Sequence, residues 1–265
     1  MKHSNRTSIF AGVTGATGAI GKAIARNLAE DGYHVYLLIR DAQKGEKAVQ
    51  DIINQTGNQH VKMALVDTSR KTSVQELRDS WEDPLHILIN NAAIAPRSRQ
   101  ETPEGIELQF ATNVLGYFWM TRLFQPVLAA SGKARVINVA SYWAGGLDLD
   151  DLEFERRSYR NGLAYRQSKQ ADRMLTAAFA KRYDPQKITV NACHPGDVNS
   201  TLSNDLGFGG SDSPNQGAAT PVWLATEPIG REVTGGYFEH KSQTRCPFME
   251  NEEAVETLFK ICQEY

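Results

Sequence analysis

The chain has 265 residues, with 29 basic against 31 acidic side chains and a formal charge of −2. That length suits one large α/β layer structure or two small domains with a substantial core, and the absence of any Lys/Arg run excludes a polyanion-binding patch for nucleic acid or anionic membrane. Cys193, Cys246 and Cys262 are odd in number and form no CxxC or metal-like grouping, which argues against a disulfide framework or a zinc site and fits free thiols in a reducing compartment.

In chain order, the first strand-like run is Ser8 to Val13. It leads into Thr14-Gly15-Ala16-Thr17-Gly18-Ala19-Ile20-Gly21 and then an amphipathic stretch near 20–30. Glycines let a backbone turn sharply and come close to a pyrophosphate, while a helix N-terminus offers free N–H groups and a positive dipole end. As the first βα turn of an alternating pattern, this segment predicts a dinucleotide site with Gly15, Thr17, Gly18, Ala19, Ile20 and Gly21 as contacts. The second run, His34 to Ile39, ends in Leu38-Ile39-Arg40-Asp41. An acidic residue at the end of this strand accepts ribose hydroxyls and repels a 2′-phosphate. Here apolar Ile39 precedes Arg40, a guanidinium placed to pair with that phosphate, so NADP(H) is favoured over NAD(H) despite the neighbouring Asp41.

Helical patterns follow near 42–54, 72–80, 104–129, 161–183, 215–226 and 252–263. Between them lie the runs Val61 to Val66, His86 to Ile89, Arg135 to Val139, Ile188 to Ala192 and Gly236 to Phe238. Runs as continuously apolar as Val35 to Ile39 and Ile87 to Ile89 read as buried parallel strands. The expectation is a single α/β domain spanning residues 1–265, a doubly wound seven-stranded parallel sheet of Rossmann type with helices on both faces. The glycine- and serine-rich tract Asn199 to Gln216, within a substrate-loop region of about residues 197–218, reads as a loop that closes over a ligand. No stretch of about 18 apolar residues occurs. The opening Met1-Lys2-His3-Ser4-Asn5-Arg6 has no signal-peptide core, so a cytoplasmic protein without a membrane anchor is expected.

Tyr165 and Lys169 stand four positions apart, with Ser141 upstream at the end of an apolar run. On a helix that spacing puts phenol and ammonium on one face. A phenol of pKa near ~10 becomes useful in proton transfer at neutral pH when a nearby cation favours its phenolate.

With these residues placed, the chain resembles the short-chain dehydrogenase/reductase family over nearly its whole length. The resemblance rests on the glycine turn, Asp67, Asn90-Asn91-Ala92-Ala93, Asn113, Ser141, Tyr165 with Lys169, and Pro195-Gly196, all in the family's order. Phe110 to Phe118, Asn191 to Gly196, Tyr165 to Lys169 and Gly235 to Phe238 are similar to retinol dehydrogenase-like and WW-domain oxidoreductase-like members. Two departures stand out: Ala19 occupies a position usually held by glycine, and the stretch Tyr142 to Ala164 is long.

The resemblance implies hydride transfer between nicotinamide and the carbonyl or alcohol of a lipophilic aldehyde, ketone or secondary alcohol. Tyr165 then moves the proton, Ser141 binds the reacting oxygen, Lys169 holds the nicotinamide ribose, and Asn113 positions a relay water. Asp67 reads the adenine, Asn91, Ala92 and Ala93 pass the nicotinamide side, and Pro195, Gly196, Val198 and Thr201 hold the carboxamide end. Ile94, Tyr142, Trp143 and Leu206 are candidate substrate walls. A homodimer or homotetramer is also implied. Two other readings stay open: a catalytically silent dinucleotide sensor, and a nucleotide-sugar epimerase or dehydratase suggested by the glycine spacing.

Overall fold

The computed structural model describes residues 8–265, so Met1–Arg6 lies outside the described residues. The elements run β1 (Phe10–Thr14), α1 (Ala19–Glu30), β2 (His34–Ile39), α2 (Ala42–Thr56), β3 (Val61–Leu65), α3 (Lys71–Asp79) and β4 (Ile87–Asn90). A π-helical turn (Phe110–Leu115) then enters α4 (Gly116–Leu123), followed by α5 (Gln125–Ser131), β5 (Ala134–Val139), α6 (Asn161–Arg182) and β6 (Ile188–Cys193). The chain finishes with α7 (Thr201–Asp205), α8 (Pro214–Thr226), α9 (Ile229–Glu232), β7 (Tyr237–Glu239), β8 (Ser242–Thr244), α10 (Pro247–Glu250) and α11 (Glu252–Glu264).

The sheet order is β3-β2-β1-β4-β5-β6-β7-β8, parallel throughout except for the antiparallel β7–β8 pair. It therefore has eight strands rather than the expected seven. The extra strand is a polar, fully exposed edge that carries no apolar signal. His240 and Lys241, both at positive φ, make the tight turn that folds it back, the backbone hand a two-residue hairpin needs.

Alternate residues of each strand feed opposite faces. Ala11, Val13, Val35, Leu37, Ile87 and Ile89 pack beneath α1, α2 and α8, whereas Leu38, Leu88 and Val136 pack with α3, α4, α6 and α11. Helical winding changes direction between β1 and β4, and the C-terminal strand ends around that point form the crevice in which such sheets hold ligands.

The helix expected over 104–129 is broken up. The buried Glu107 carboxylate accepts from the N–H groups of Gln109 and Phe110, at 2.8 and 2.6 Å, and so caps the element where the π-turn begins. Below the crevice a buried amide ladder joins the sheet to α4 and α6. Asn90 donates to Thr121 (3.0 Å) and Asn138 (2.9 Å), and Asn138 donates to Thr176 (2.8 Å). Asn138→Ala should destabilise the protein by about 1–3 kcal/mol, because it strands the Asn90 amide in an apolar layer. A denaturant-unfolding midpoint unchanged from wild type would contradict that role.

Candidate active site

Sheet register brings the C-terminal ends of β1, β2, β4, β5 and β6 to one edge. The turn after β1 works by close approach. Gly15 sits at φ 65°, where an added Cβ would come within 2.8 Å of the Ala92 Cα, and one at Gly21 would lie 2.6 Å from the Asn91 Nδ2. Thr14 fastens the two strand ends: its hydroxyl accepts from Asn91 N–H (2.8 Å) and Ala92 N–H (3.0 Å), and its carbonyl accepts from the Asn91 side chain (2.9 Å).

A cleft of about 350 Å³ opens over this turn. Gly15, Thr17, Gly18, Ala19, Ile20, Gly21, Arg40, Asp67, Asn91, Ala92, Ala93 and Thr201 line it together. Ile94 lines this cleft and not the substrate cavity for which it was a candidate. Asp41 turns its carboxylate to its own helix, accepting the Lys44 N–H at 3.0 Å as the N-cap of α2. Arg40 and Lys44 both line the cleft, as does Asp41, whose carboxylate stands 3.7 Å from the Lys44 ammonium. The Asp67 carboxylate accepts from the N–H (3.0 Å) and hydroxyl (2.6 Å) of Ser69.

An adjoining cavity of about 530 Å³ is walled by Ser141, Tyr142, Trp143, Tyr165, Pro195, Gly196, Val198 and Leu206, so Ser141 and Tyr165 share one wall. Ile20, Ser200 and Leu202 line both spaces and make them neighbours. Pro195 and Gly196 follow β6, and Gly196 takes φ 109°. Behind it the Asp197 N–H donates to the Asp212 carboxylate at 2.9 Å, and Val198 bridges to Asp212. The tract Asn199 to Gln216 is thus tied at its base and holds α7, capped reciprocally by Ser200 and Ser203, in place of an irregular loop.

Lys169 and Asn113 line neither space. Asn113, fully buried on the π-turn, accepts from Ile94 N–H (2.9 Å) and donates to Ile94 O (3.0 Å) and the Ser168 hydroxyl (3.1 Å), stitching that turn to the chain after β4 and to α6. The Lys169 ammonium donates to the Asp172 carboxylate (2.8 Å), Val139 O (3.0 Å) and the Tyr117 hydroxyl (3.5 Å), and stands 5.8 Å from the centre of the Tyr165 ring. Burial pushes the Tyr165 pKa well above its ordinary value, a hydrogen bond with Ser141 opposes this, and the charges of Asp172 and Asp197 add to the rise.

Residues 10–207 match the family described as short chain dehydrogenase. The chain belongs to that family. Human retinol dehydrogenase 13 is 35% identical to it over 93% of this chain and 81% of its own length. Human retinol dehydrogenase 11 is 34% identical over 85% and 75%, respectively. The crystal structure of an uncharacterized protein from Mycobacterium paratuberculosis superposes with a TM-score of 0.81 at 26% identity, covering 97% of this chain and 92% of that one. These similarities put the protein in the retinol dehydrogenase-like branch of an oxidoreductase family whose members use a nicotinamide dinucleotide.

The cleft of this short-chain dehydrogenase has what a dinucleotide requires. Helix α1 begins at Gly18 with no side-chain cap and no acidic residue in its first turn, which leaves its N–H groups and positive dipole end for an anion. Ala19, the departure from the usual glycine, is the first residue of α1 and lies on the cleft wall. No helix among the described residues is long and apolar enough to cross a membrane.

Several residues at the site escaped the sequence reading. Lys44 carried a signal, being four positions after Arg40 at the start of α2. Phe208, set between Gly207 and Gly209, meets Trp143 edge-on with ring centres 5.5 Å apart and is half exposed at the cavity wall. The long stretch after Ser141 is anchored by buried Asp151, which accepts from Glu155, Arg156 and Arg157 N–H groups and pairs with the Arg157 guanidinium. Burial acts to raise the Asp151 pKa, but these donors outweigh it and hold the carboxyl at about 2.

The glycines separate two effects. Gly21→Ala forces a methyl onto the Gly15 carbonyl and against the Asn91 amide and should cost about 1–3 kcal/mol of stability as well as dinucleotide affinity. Gly18→Ala meets only the Gly15 carbonyl oxygen, at 3.3 Å, so its melting temperature should stay at the wild-type value. Its dinucleotide affinity by calorimetry should still fall at least about tenfold. Wild-type affinity in Gly18→Ala would show that the turn does not carry the pyrophosphate.

Proposed function

We propose that the protein is an NADP(H)-dependent oxidoreductase interconverting the carbonyl and alcohol forms of a lipophilic aldehyde, ketone or secondary alcohol, with Tyr165 as general acid and base. The observation that carries this reading is the junction of the two spaces: Ser141 and Tyr165 sit side by side in the wall of a cavity that shares Ile20, Ser200 and Leu202 with the glycine cleft. When bound, the dinucleotide supplies or accepts the hydride. Gly15, Thr17, Gly18, Ala19, Ile20 and Gly21 would hold its pyrophosphate, Asp67 its adenine, and Asn91, Ala92, Ala93, Pro195, Gly196, Val198 and Thr201 its nicotinamide half.

Charge grows on the carbonyl oxygen as the carbon is reduced, and donors already aimed there stabilise the transition state more than the ground state. Ser141, whose Oγ accepts the Trp143 N–H at 3.1 Å, lies with Tyr165 in the cavity wall, so the pair offers one held donor and one able to give up its proton. The lipophilic substrate follows from the cavity wall. Tyr142, Trp143 and Phe208 present three aromatic rings, and Leu202 and Leu206 add aliphatic surface. Preference for NADP(H) rests on Arg40 at the cleft edge and on the engagement of the Asp41 carboxylate by the backbone N–H and ammonium of Lys44. We propose one domain throughout, carrying both spaces.

Two variants test the assignment on a substrate found by screening aldehydes, ketones, quinones and steroids with NADPH. Tyr165→Phe should lower turnover by ~10²- to 10⁴-fold while NADP(H) affinity stays within a few-fold; half the wild-type rate would sink the role. Arg40→Ala should weaken NADP(H) about ten- to hundred-fold and leave NAD(H) binding nearly unchanged. Equal losses for both dinucleotides would mean that Arg40 does not read the 2′-phosphate.

A further inference from the structure

The bond from the Ala140 N–H to the Cys193 carbonyl oxygen, 2.8 Å, closes the pairing of β5 with β6. Ser141 comes next, already outside the sheet, and a side chain from α6 takes up its carbonyl oxygen: the Arg173 guanidinium donates to it. The same nitrogen, Nη2, donates at 2.7 Å to the Tyr237 hydroxyl of β7, and Nη1 reaches the Cys246 Sγ at 3.7 Å. The guanidinium carbon stands over the Tyr237 ring, 3.8 Å from its centre. Arg173 is buried, and its three hydrogen-bond partners are a carbonyl, a phenol and a thiol. A carboxylate is reached through the phenol, because Tyr237 donates to Glu239 at 2.7 Å. Burying a cation is costly unless its donors are engaged. What this cation engages is the backbone of Ser141.

Ser141 is thereby held at two points. Its Oγ accepts from the Trp143 N–H at 3.1 Å within its own turn, and its carbonyl oxygen is fixed from α6. That oxygen belongs to the peptide that leads into Tyr142, whose ring meets His194 edge-on with centres 4.7 Å apart and walls the cavity beside Ser141. Tyr165 stands on α6 about two turns before Arg173. One helix therefore carries both the phenol and the group that grips Ser141.

We propose that Arg173 is a positioning residue of the site: acting through the Ser141 carbonyl, it sets where the Ser141 hydroxyl stands relative to Tyr165, so that both meet one substrate oxygen. The proposal rests on the reading of Ser141 and Tyr165 as the pair that receives a carbonyl. A planar fork suits the place. Lysine, a point charge on a flexible stem, can serve one acceptor but cannot span carbonyl, phenol and thiol while lying against a ring.

The test compares Arg173→Lys and Arg173→Met, each alone and combined with Ser141→Ala, by kcat on a verified carbonyl, NADP(H) affinity and amide hydrogen exchange. With Ser141 present, the Met variant should lose about tenfold or more in kcat and the Lys variant less, with NADP(H) affinity within about twofold of wild type. With Ser141→Ala, the same substitutions should lower kcat no further, since the hydroxyl they misplace is gone. The Trp143 and Ala144 amides, both bonded within the turn, should exchange about tenfold faster in the Met variant, while the amides of β5 keep wild-type rates. Equal losses of kcat in both backgrounds, or faster exchange along the whole of β5 and α6, would overturn the proposal and make Arg173 a folding element. So would wild-type kcat in Arg173→Met. If the Met variant does not fold, the Lys variant decides by the same cycle: a loss confined to the Ser141 background supports the proposal, and wild-type kcat or equal losses overturn it. Wild-type kcat in Ser141→Ala alone would sink the reading of that hydroxyl and this proposal together. Faster exchange confined to the turn, in a protein that turns over no carbonyl, would keep the grip on Ser141 and sink the hydride-transfer reading.

Discussion

The contact between the ends of β1 and β4 is the constraint on which the rest of the site depends. The chain reverses its winding there, and the fold must bring a turn and a strand end closer than any side chain permits. Thr14 ties Asn91 and Ala92, Gly15 lies against Ala92, and Gly21 lies against Asn91. This leaves α1 with an uncapped N-terminus opening onto the cleft. The free N–H groups at the cleft are a consequence of how the layers meet. Asn91 illustrates the double use of such residues: its amide is spent on the Thr14 carbonyl, and its backbone still forms part of the cleft wall.

Helix α6 carries the second half of the site, and it does so while buried over most of its length. Ionisable side chains in that setting must be paired, and the pairing decides their chemistry. Lys169 is held by Asp172, and the Ser141 carbonyl by Arg173, which reaches on to Tyr237 and through it to Glu239. The amide ladder of Asn90 and Asn138 joins Thr176 on the same helix, whose hydroxyl donates to the Asp172 carbonyl oxygen. The position of Tyr165 is therefore tied to groups spread over β4, β5, α4 and α6.

Much of this was legible in the chain because the signals are local. Val35 to Ile39 reads as a buried strand from its apolar run alone, and it spans the strand seen. The glycine turn, Arg40 and the Tyr165/Lys169 spacing likewise depend on near neighbours. What was not legible depends on distant ones. Ser242–Thr244 is a strand because the His240–Lys241 turn lays it on β7, and nothing in Ser-Gln-Thr announces it. The break before the π-turn is accompanied by a buried Glu107 carboxylate, accepting from Gln109 and Phe110 N–H, that no helical periodicity reveals. Ile94 lines the cleft and not the cavity, and its backbone N–H and carbonyl are fixed by the amide of Asn113, nineteen positions on. Asp172 was visible three positions after Lys169, but that its carboxylate lies fully buried against the ammonium depends on the packing around α6.

The central claim is that hydride passes at the junction of the two spaces, onto a carbonyl held by Ser141 and Tyr165. The most direct measurement follows the hydrogen itself. Purified protein is supplied with NADPH deuterated at the nicotinamide C4, on either face, together with a reducible aldehyde or ketone, and the alcohol product is analysed by mass spectrometry and NMR. The account predicts one deuterium at the former carbonyl carbon, from one face of the nicotinamide and not the other, and loss of the labelled product in Tyr165→Phe. Alcohol formed without the label, or labelled equally from both faces, would contradict it.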